Sequence, residues 1–136
     1  MNIQLEISLR LLLAAALGAA IGYQRTWAKK PAGFRTHALV SLGVAIFTVV
    51  STHGFAGGSI DPSRVAAGVV TGIGFIGAGA IIRERIRGNM VVGITTAASL
   101  WTVAAIGMAA AVGLYIISGV ATVLSLVILF MHPREN

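Results

Sequence analysis

Few side chains in this sequence can do chemistry. Four acids (Glu6, Asp61, Glu84, Glu135), three histidines (His37, His53, His132) and no cysteine are spread along 136 residues. A zinc-type centre needs His, Cys or carboxylate ligands at short, defined spacings. These histidines flank different hydrophobic runs, so no metal site is expected. No serine or threonine within a hydrophobic run has a histidine or acid at a spacing that would activate it, so no catalytic residue and no enzyme activity are expected. Gly72-x-Gly74-x-x-Gly77 has the spacing of a dinucleotide fingerprint. That fingerprint works between a strand and a helix of a soluble βαβ unit, whereas these glycines sit inside a hydrophobic run, and no cofactor is expected.

What remains are polar residues within or at the ends of hydrophobic runs. Arg64 follows Asp61 by three residues and Arg10 follows Glu6 by four, so each has a helical neighbour of opposite sign. The alternative is that an arginine in the first turns of a membrane span is kept for an anion, a lipid headgroup or an inter-helix pair. Thr95, Thr96 and Ser99 open a later run, where they either bond back to their own helix or serve a site. Trp101 lies one turn further. A tryptophan at that depth is expected to pack into a groove left by small residues on the third span and to give its indole N–H to a hydroxyl or carbonyl. The histidines are expected to be interfacial polar residues.

The elements that must position these residues follow from composition. The chain is 57% hydrophobic and 10% charged, with a mean hydropathy of +0.91. A soluble domain carries about a quarter charged residues, so the chain reads as a multi-span membrane protein. Disorder and a disulfide scaffold are excluded. About 20 apolar residues make one crossing, which predicts spans near residues 5–23, 37–53, 63–82, 90–108 and 112–131. From Gly88 to Met131 no residue is charged, and one straight helix of that run would extend about 66 Å, about twice the hydrocarbon thickness. It must turn back, and the window Gly107 to Gly113 is the expected corner. Asp61-Pro62-Ser63 and Arg87-Gly88-Asn89 read as helix starts, and Pro133 as the close of the last helix. The expected fold is an all-α membrane protein, a compact bundle of about five transmembrane helices with the glycine-rich third helix at its centre. A signal peptide over the first run is the alternative, disfavoured by Glu6.

Helix packing is the expected work of the glycines. Gly68 and Gly72, four apart, bare one face of the third span, and Gly74, Gly77 and Gly79 strip others, so neighbours on two sides are predicted. Partial unwinding to line a site with carbonyls is the other possibility. Gly18 and Gly22 repeat the four-residue spacing in the first span, for a contact within the bundle or with another copy of the chain.

Eight basic residues (Arg25, Lys29, Lys30, Arg35, Arg83, Arg85, Arg87, Arg134) fall on one face of this layout, and Arg10 and Arg64 lie near the other. By the positive-inside rule the first face is cytoplasmic, with the N-terminus outside and the C-terminus inside. Arg25, Lys29, Lys30, Arg83, Arg85 and Arg87 form a basic face that sets topology or also meets anionic lipid or an acidic partner.

Three stretches, KPAGFRTHALVSLG (Lys30 to Gly43), DPSRVAAGVVTGIGFIGAGAII (Asp61 to Ile82) and RGNMVVGITTAASLWTVAAIG (Arg87 to Gly107), resemble the MgtC/SapB family of bacterial inner-membrane proteins. The resemblance covers nearly the whole chain. It implies a multi-span domain over residues 1–136, a role in growth under magnesium limitation and survival inside host cells, and regulation that reaches the ATP synthase. Many relatives are labelled magnesium transporters. Better-known members continue into a soluble C-terminal domain, whereas this sequence stops at Asn136 and none is expected here. Many also carry an acid where this chain has Gln24 beside Arg25. Arg35, Thr36, His37, Asp61, Arg64, Thr95, Thr96 and Trp101 match family positions and are carried over as candidate functional residues. The expected partners are the lipid bilayer, a second copy of the chain as a dimer, or another membrane protein, and no nucleic acid. Three functional classes follow: a regulator acting through membrane contacts, an ion transporter or channel, and an intramembrane enzyme. Four acids, none deep in a span, favour the first, because a hard dication is normally held by carboxylates and water.

Overall fold

The computed structural model describes residues 1–84, 86–87 and 90–131, with side chains over 1–82 and 92–131. Five helices run antiparallel in sequence order: α1 (Ile3–Trp27), α2 (Phe34–His53), α3 (Ser63–Glu84), α4 (Ile94–Ala111) and α5 (Tyr115–Phe130). The first four are long and apolar enough to cross a membrane. The 16 residues of α5 rise about 24 Å, somewhat short of a hydrocarbon core of about 30 Å. Two short strands, β1 (Ile86–Arg87) and β2 (Met90–Val91), pair antiparallel between α3 and α4. They replace the helical start expected near residue 90, and α4 begins at Ile94 behind Gly93, whose φ of +99° favours glycine. The cap expected at Gly88 and Asn89 lies outside the described residues, as does Pro133.

The C-terminal ends of α1 and α4 are closed by backbone geometry. Past α1, Lys30 N–H bonds Arg25 O and Lys29 N–H bonds Thr26 O, with Lys29 itself left-handed at φ +60°. Past α4, Leu114 N–H bonds Ala109 O and Gly113 N–H bonds Ala110 O, with Gly113 at φ +88°. Both are paired bonds that satisfy the last carbonyls of a helix before the chain reverses. The corner expected within residues 107–113 thus forms at Gly113, while Gly107 stays helical.

The third helix is not the centre of the bundle. That place belongs to α4, which packs against each of the other four helices, whereas α3 leans on α4 and only lightly on α2. Residues of α4 enter all three core clusters: Ala110 and Ala111 with Ala14 and Ala45, Leu100 and Ala104 with Val44 and Ile73, Val103 and Ile106 with Ile21. The reason lies in small side chains on the packed faces of α4. Ala97, Ala104, Ala109, Ala110 and Ala111 let neighbours approach closely, while Ala98 and Ala105 face outward. In α3 the glycines alternate with Val, Ile and Phe residues that need an apolar surround. Of the α3 glycines, Gly77 alone meets another helix, its Cβ direction ending 3.4 Å from Ala97 Cβ, while Gly68, Gly72, Gly74 and Gly79 face open space.

The close backbone contacts fall elsewhere. A Cβ on Gly18 would lie 2.6 Å from Ser41 Cβ and 2.7 Å from His37 O, and one on Gly22 would lie 2.7 Å from Phe34 Cα. These two glycines hold α1 against α2 within one chain. Thr26 Oγ1 accepts the Phe34 N–H at 2.8 Å and fixes the turn between them.

Candidate functional site

The buried polar groups collect where α1, α2 and α4 converge, toward the end of the bundle that carries Lys29, Lys30 and Arg35. Arg25 stands in the last turn of α1, yet it is 3% exposed. Its Nη2 donates to Thr96 Oγ1 at 2.9 Å, across to the first turn of α4. One turn further along α4, Ser99 Oγ lies 2.8 Å from His37 Nε2 and 2.7 Å from Thr96 O. His37 is completely buried, and its Nδ1 lies 2.9 Å from Gly33 O at the start of α2. Deeper between the same helices, Ser41 Oγ donates to Ala14 O at 2.6 Å. Gly107 of α4 packs on the Ser41 backbone so closely that a Cβ there would fall 2.3 Å from Ser41 O.

The proton count in this cluster defines its chemistry. A carbonyl accepts only, so His37 Nδ1 carries hydrogen. In a neutral ring Nε2 is then an acceptor, and the single Ser99 hydroxyl hydrogen is shared between it and Thr96 O. In a protonated ring Nε2 donates to Ser99, whose hydrogen goes wholly to Thr96 O. The cluster therefore has two internally consistent hydrogen-bond arrangements differing by one proton. Arg25 keeps a positive charge beside it in both.

Gln24, also 3% exposed, donates from Nε2 to Leu129 O at 3.2 Å and so fastens the end of α5 to α1. Its Oε1 is buried with no hydrogen-bond partner among the described residues. Trp27 and Phe130 meet at 5.7 Å between centroids, with their rings tilted by 55°, across the same junction.

The family model that describes the MgtC family matches residues 11–135. The chain belongs to the MgtC family. Its sequence is 46% identical over 130 residues to "Putative magnesium transporter YhiD" of Escherichia coli K12, covering 91% of this chain and 59% of that protein. It is 44% identical over 118 residues to "Protein MgtC" of Salmonella typhimurium LT2, covering 87% of this chain and 48% of that protein. An uncharacterized protein of Haemophilus influenzae is 38% identical over 131 residues, with 91% and 54% covered. The chain thus spans about half the length of the curated relatives it matches. No solved structure matches it.

Of the family positions carried over, the fold brings His37 and Thr96 into the buried cluster and leaves the others out of it. Arg35, Thr36 and Thr95 are exposed. Trp101 is 49% exposed and has no hydrogen bond among the described residues, contrary to the packing expected of it. Leu100, the preceding residue, takes the place against Ile73 of α3, and a step of about 100° around the helix turns Trp101 outward. His37 is likewise no interfacial residue, because the Gly22 contact draws the start of α2 onto α1 and seals it in. Arg25 leaves the expected basic face for the interior, while Lys29 and Lys30 remain exposed. The side chains of Arg83 and Arg87, and all of Arg85, lie outside the described residues.

At the other end of this MgtC-family bundle Arg10 does more than pair locally. It forms an ion pair with Glu6, and it also donates from Nε to Tyr115 Oη at 2.9 Å and from Nη1 to Ala111 O at 3.0 Å. A cation on the final carbonyls of α4 complements the negative end of that helix and ties α1 to the α4–α5 corner. The pairing expected for Arg64 does not form. Asp61 instead spends its carboxylate on the N-terminus of α3, accepting from Ser63 Oγ at 2.6 Å and Ser63 N–H at 2.9 Å. Those hydrogen bonds hold its acid below the ordinary carboxylate range, with the charge of Arg64 a weaker contribution.

Nothing in local sequence singles out Ser41 or Gly107. The usable signal was the four-residue spacing of Gly18 and Gly22, which implied a close partner for α1 without saying which residues it would press together.

Proposed function

We propose that this chain is an integral inner-membrane regulatory domain that acts through contacts with other membrane proteins, in the setting of magnesium limitation. It is neither an enzyme nor a magnesium conduit. The observation carrying this reading is what the bundle exposes and what it encloses. Ala67, Thr71, Gly74 and Ala78 form an exposed small-residue stripe on α3, spaced four, three and four. A Cβ on Gly74 would meet nothing. Such faces let a second helix approach closely in lipid. Among the described buried polar residues, in contrast, none is a carboxylate. A hard dication is normally held by carboxylates and water, and these residues offer it no carboxylate.

The partner is a second copy of the chain or another integral membrane protein. The family resemblance implies regulation that reaches the ATP synthase, and the α3 stripe offers a helix–helix contact to an integral membrane subunit. Magnesium transport, which the name of the Escherichia coli relative suggests, is the alternative, and vesicle flux separates the two. Purified protein in sealed vesicles should pass no magnesium above protein-free controls. Gly74→Leu should reduce crosslinking of the α3 stripe to partner proteins in native membrane several-fold while thermal stability holds. Saturable magnesium uptake would promote the transporter reading.

Orientation follows the basic residues, with the Lys29, Lys30 and Arg35 end cytoplasmic and the N-terminus outside. Reporter fusions at Gly58 and Asn136 should then report opposite sides, Gly58 outside. The same side for both would remove the odd number of crossings on which this orientation rests.

A further inference from the structure

Between α2 and α3 runs an open groove of about 660 Å³, lined by Val40, Gly43 and Phe47 on one wall and Gly68, Gly72 and Ile76 on the other. Its lining is apolar throughout, except at one mouth, where Arg64 stands in the first turn of α3. The guanidinium has no hydrogen bond or ion-pair partner among the described residues. Asp61, the nearest acid, is committed to Ser63. From Arg64 to Ile76 the α3 wall rises about 18 Å, slightly more than half of a hydrocarbon core of about 30 Å. The groove therefore begins at an interface with a cation and ends near the bilayer midplane, which is the extent of one leaflet.

We infer that this groove is a phospholipid site, with one lipid of the leaflet at the Arg64 end lying along α2 and α3 and its phosphodiester on the Arg64 guanidinium. The groove is open along its side, apolar along its floor and cationic at one mouth, a pattern that matches the tails and phosphate of a lipid more directly than the apolar face of a helix. Acyl chains fit such a channel, and the missing side chains at Gly43, Gly68 and Gly72 make the space for them. Charge complementarity sets the headgroup end. A guanidinium binds a phosphodiester through paired N–H donors, and Asp61, hydrogen-bonded to Ser63, makes no ion pair with it. The recognised chemistry is the phosphodiester common to phospholipids rather than any particular headgroup, because a single cation with Asp61 close by favours no additional negative charge.

Native mass spectrometry of the delipidated, detergent-purified protein tests the site, with phosphatidylglycerol, phosphatidylethanolamine and phosphate-free diacylglycerol as probes. Both phospholipids should be retained at low molar excess, and diacylglycerol at least fivefold less. Arg64→Gln should lower phospholipid retention about fivefold or more, and Arg64→Lys should restore part of it. Gly72→Leu, whose Cβ would meet no protein atom and whose side chain would occupy the groove, should lower retention by a similar factor. Gly119→Leu, at another open glycine on α5, should leave it unchanged. Circular dichroism of each variant establishes that it is folded, and Gly68→Leu serves in place of Gly72→Leu should the latter misfold. Equal retention by Arg64→Gln and wild type, or equal binding of diacylglycerol, overturns the proposal. So does a dimer mass that Gly72→Leu abolishes while lipid adducts persist, since the groove would then be an interface between copies.

Discussion

Gly107→Ala should destabilise the bundle by about 3 kcal/mol or more, the upper part of the range for forcing atoms into a packed interior. The added methyl would fall 2.3 Å from Ser41 O, 2.8 Å from Ser41 Oγ and 2.9 Å from Ser41 C. Backbone cannot swing aside as a side-chain tip does, so α4 must separate from α2. The separation also pulls on the Ser41 to Ala14 hydrogen bond, which spreads the damage to α1. The same change at Gly72, where the new methyl meets nothing, should be neutral or stabilise by up to about 1 kcal/mol, since alanine is the better helix former. Unfolding equilibria of the two variants in mixed micelles compare them directly. Equal stability at the two positions would mean that α4 is not the central helix.

His37→Ala is expected to lower stability by about 2–5 kcal/mol, combining a cavity in a packed interior with the loss of two hydrogen bonds. Gly33 O and Ser99 Oγ both lose their imidazole partner. Ser99→Ala should cost about 1–3 kcal/mol, because it removes the hydroxyl shared between the ring and Thr96 O and leaves His37 Nε2 buried without that partner. The two changes should be non-additive, as expected of residues in one hydrogen-bond network. Nitrogen-15 spectra of labelled histidine should place the hydrogen of the neutral His37 ring on Nδ1, opposite Gly33 O. A ring hydrogen on Nε2 alone would break the assignment, since Nδ1 would then face a carbonyl with no hydrogen between them.

These two predictions bear on function through the same helices. Gly18, Gly22 and Gly107 press α1, α2 and α4 together, and the pressed region is where Arg25, His37, Thr96 and Ser99 meet. Loosening either contact should disturb the polar cluster, whereas changes on the outward face of α3 should reach partners or lipid and leave the cluster intact. The bundle thereby has a closely packed core of α1, α2 and α4 with α3 and α5 at its edges, and the outward face of α3 is available for contacts.

Hydrophobic run length and charge placement were enough to identify the membrane class, the five helices and the corner before α5, because those depend on distances along one chain and on the thickness of the bilayer. The Arg10–Glu6 pair was legible for the same reason, four residues being one helical turn. Sequence alone also marked Gly18 and Gly22 as a close contact, and the three quoted stretches were sufficient to recognise the family. Which helix is central was a tertiary decision. Glycine spacing pointed to α3, but a bare helix face permits a neighbour without requiring one, and the buried alanines of α4, Ala104, Ala110 and Ala111, accommodate neighbouring helices with less loss of helix propensity. Tertiary packing also decided that Arg25 and His37 lie inside. Both sit at helix ends where charge patterns suggest exposure, and only the approach of α4, which brings Thr96 and Ser99 within hydrogen-bonding distance, makes burial of those polar groups tolerable. Asp61 and Arg64, three residues apart, were expected to pair, and the competing donors of Ser63 at the start of α3 took the carboxylate instead.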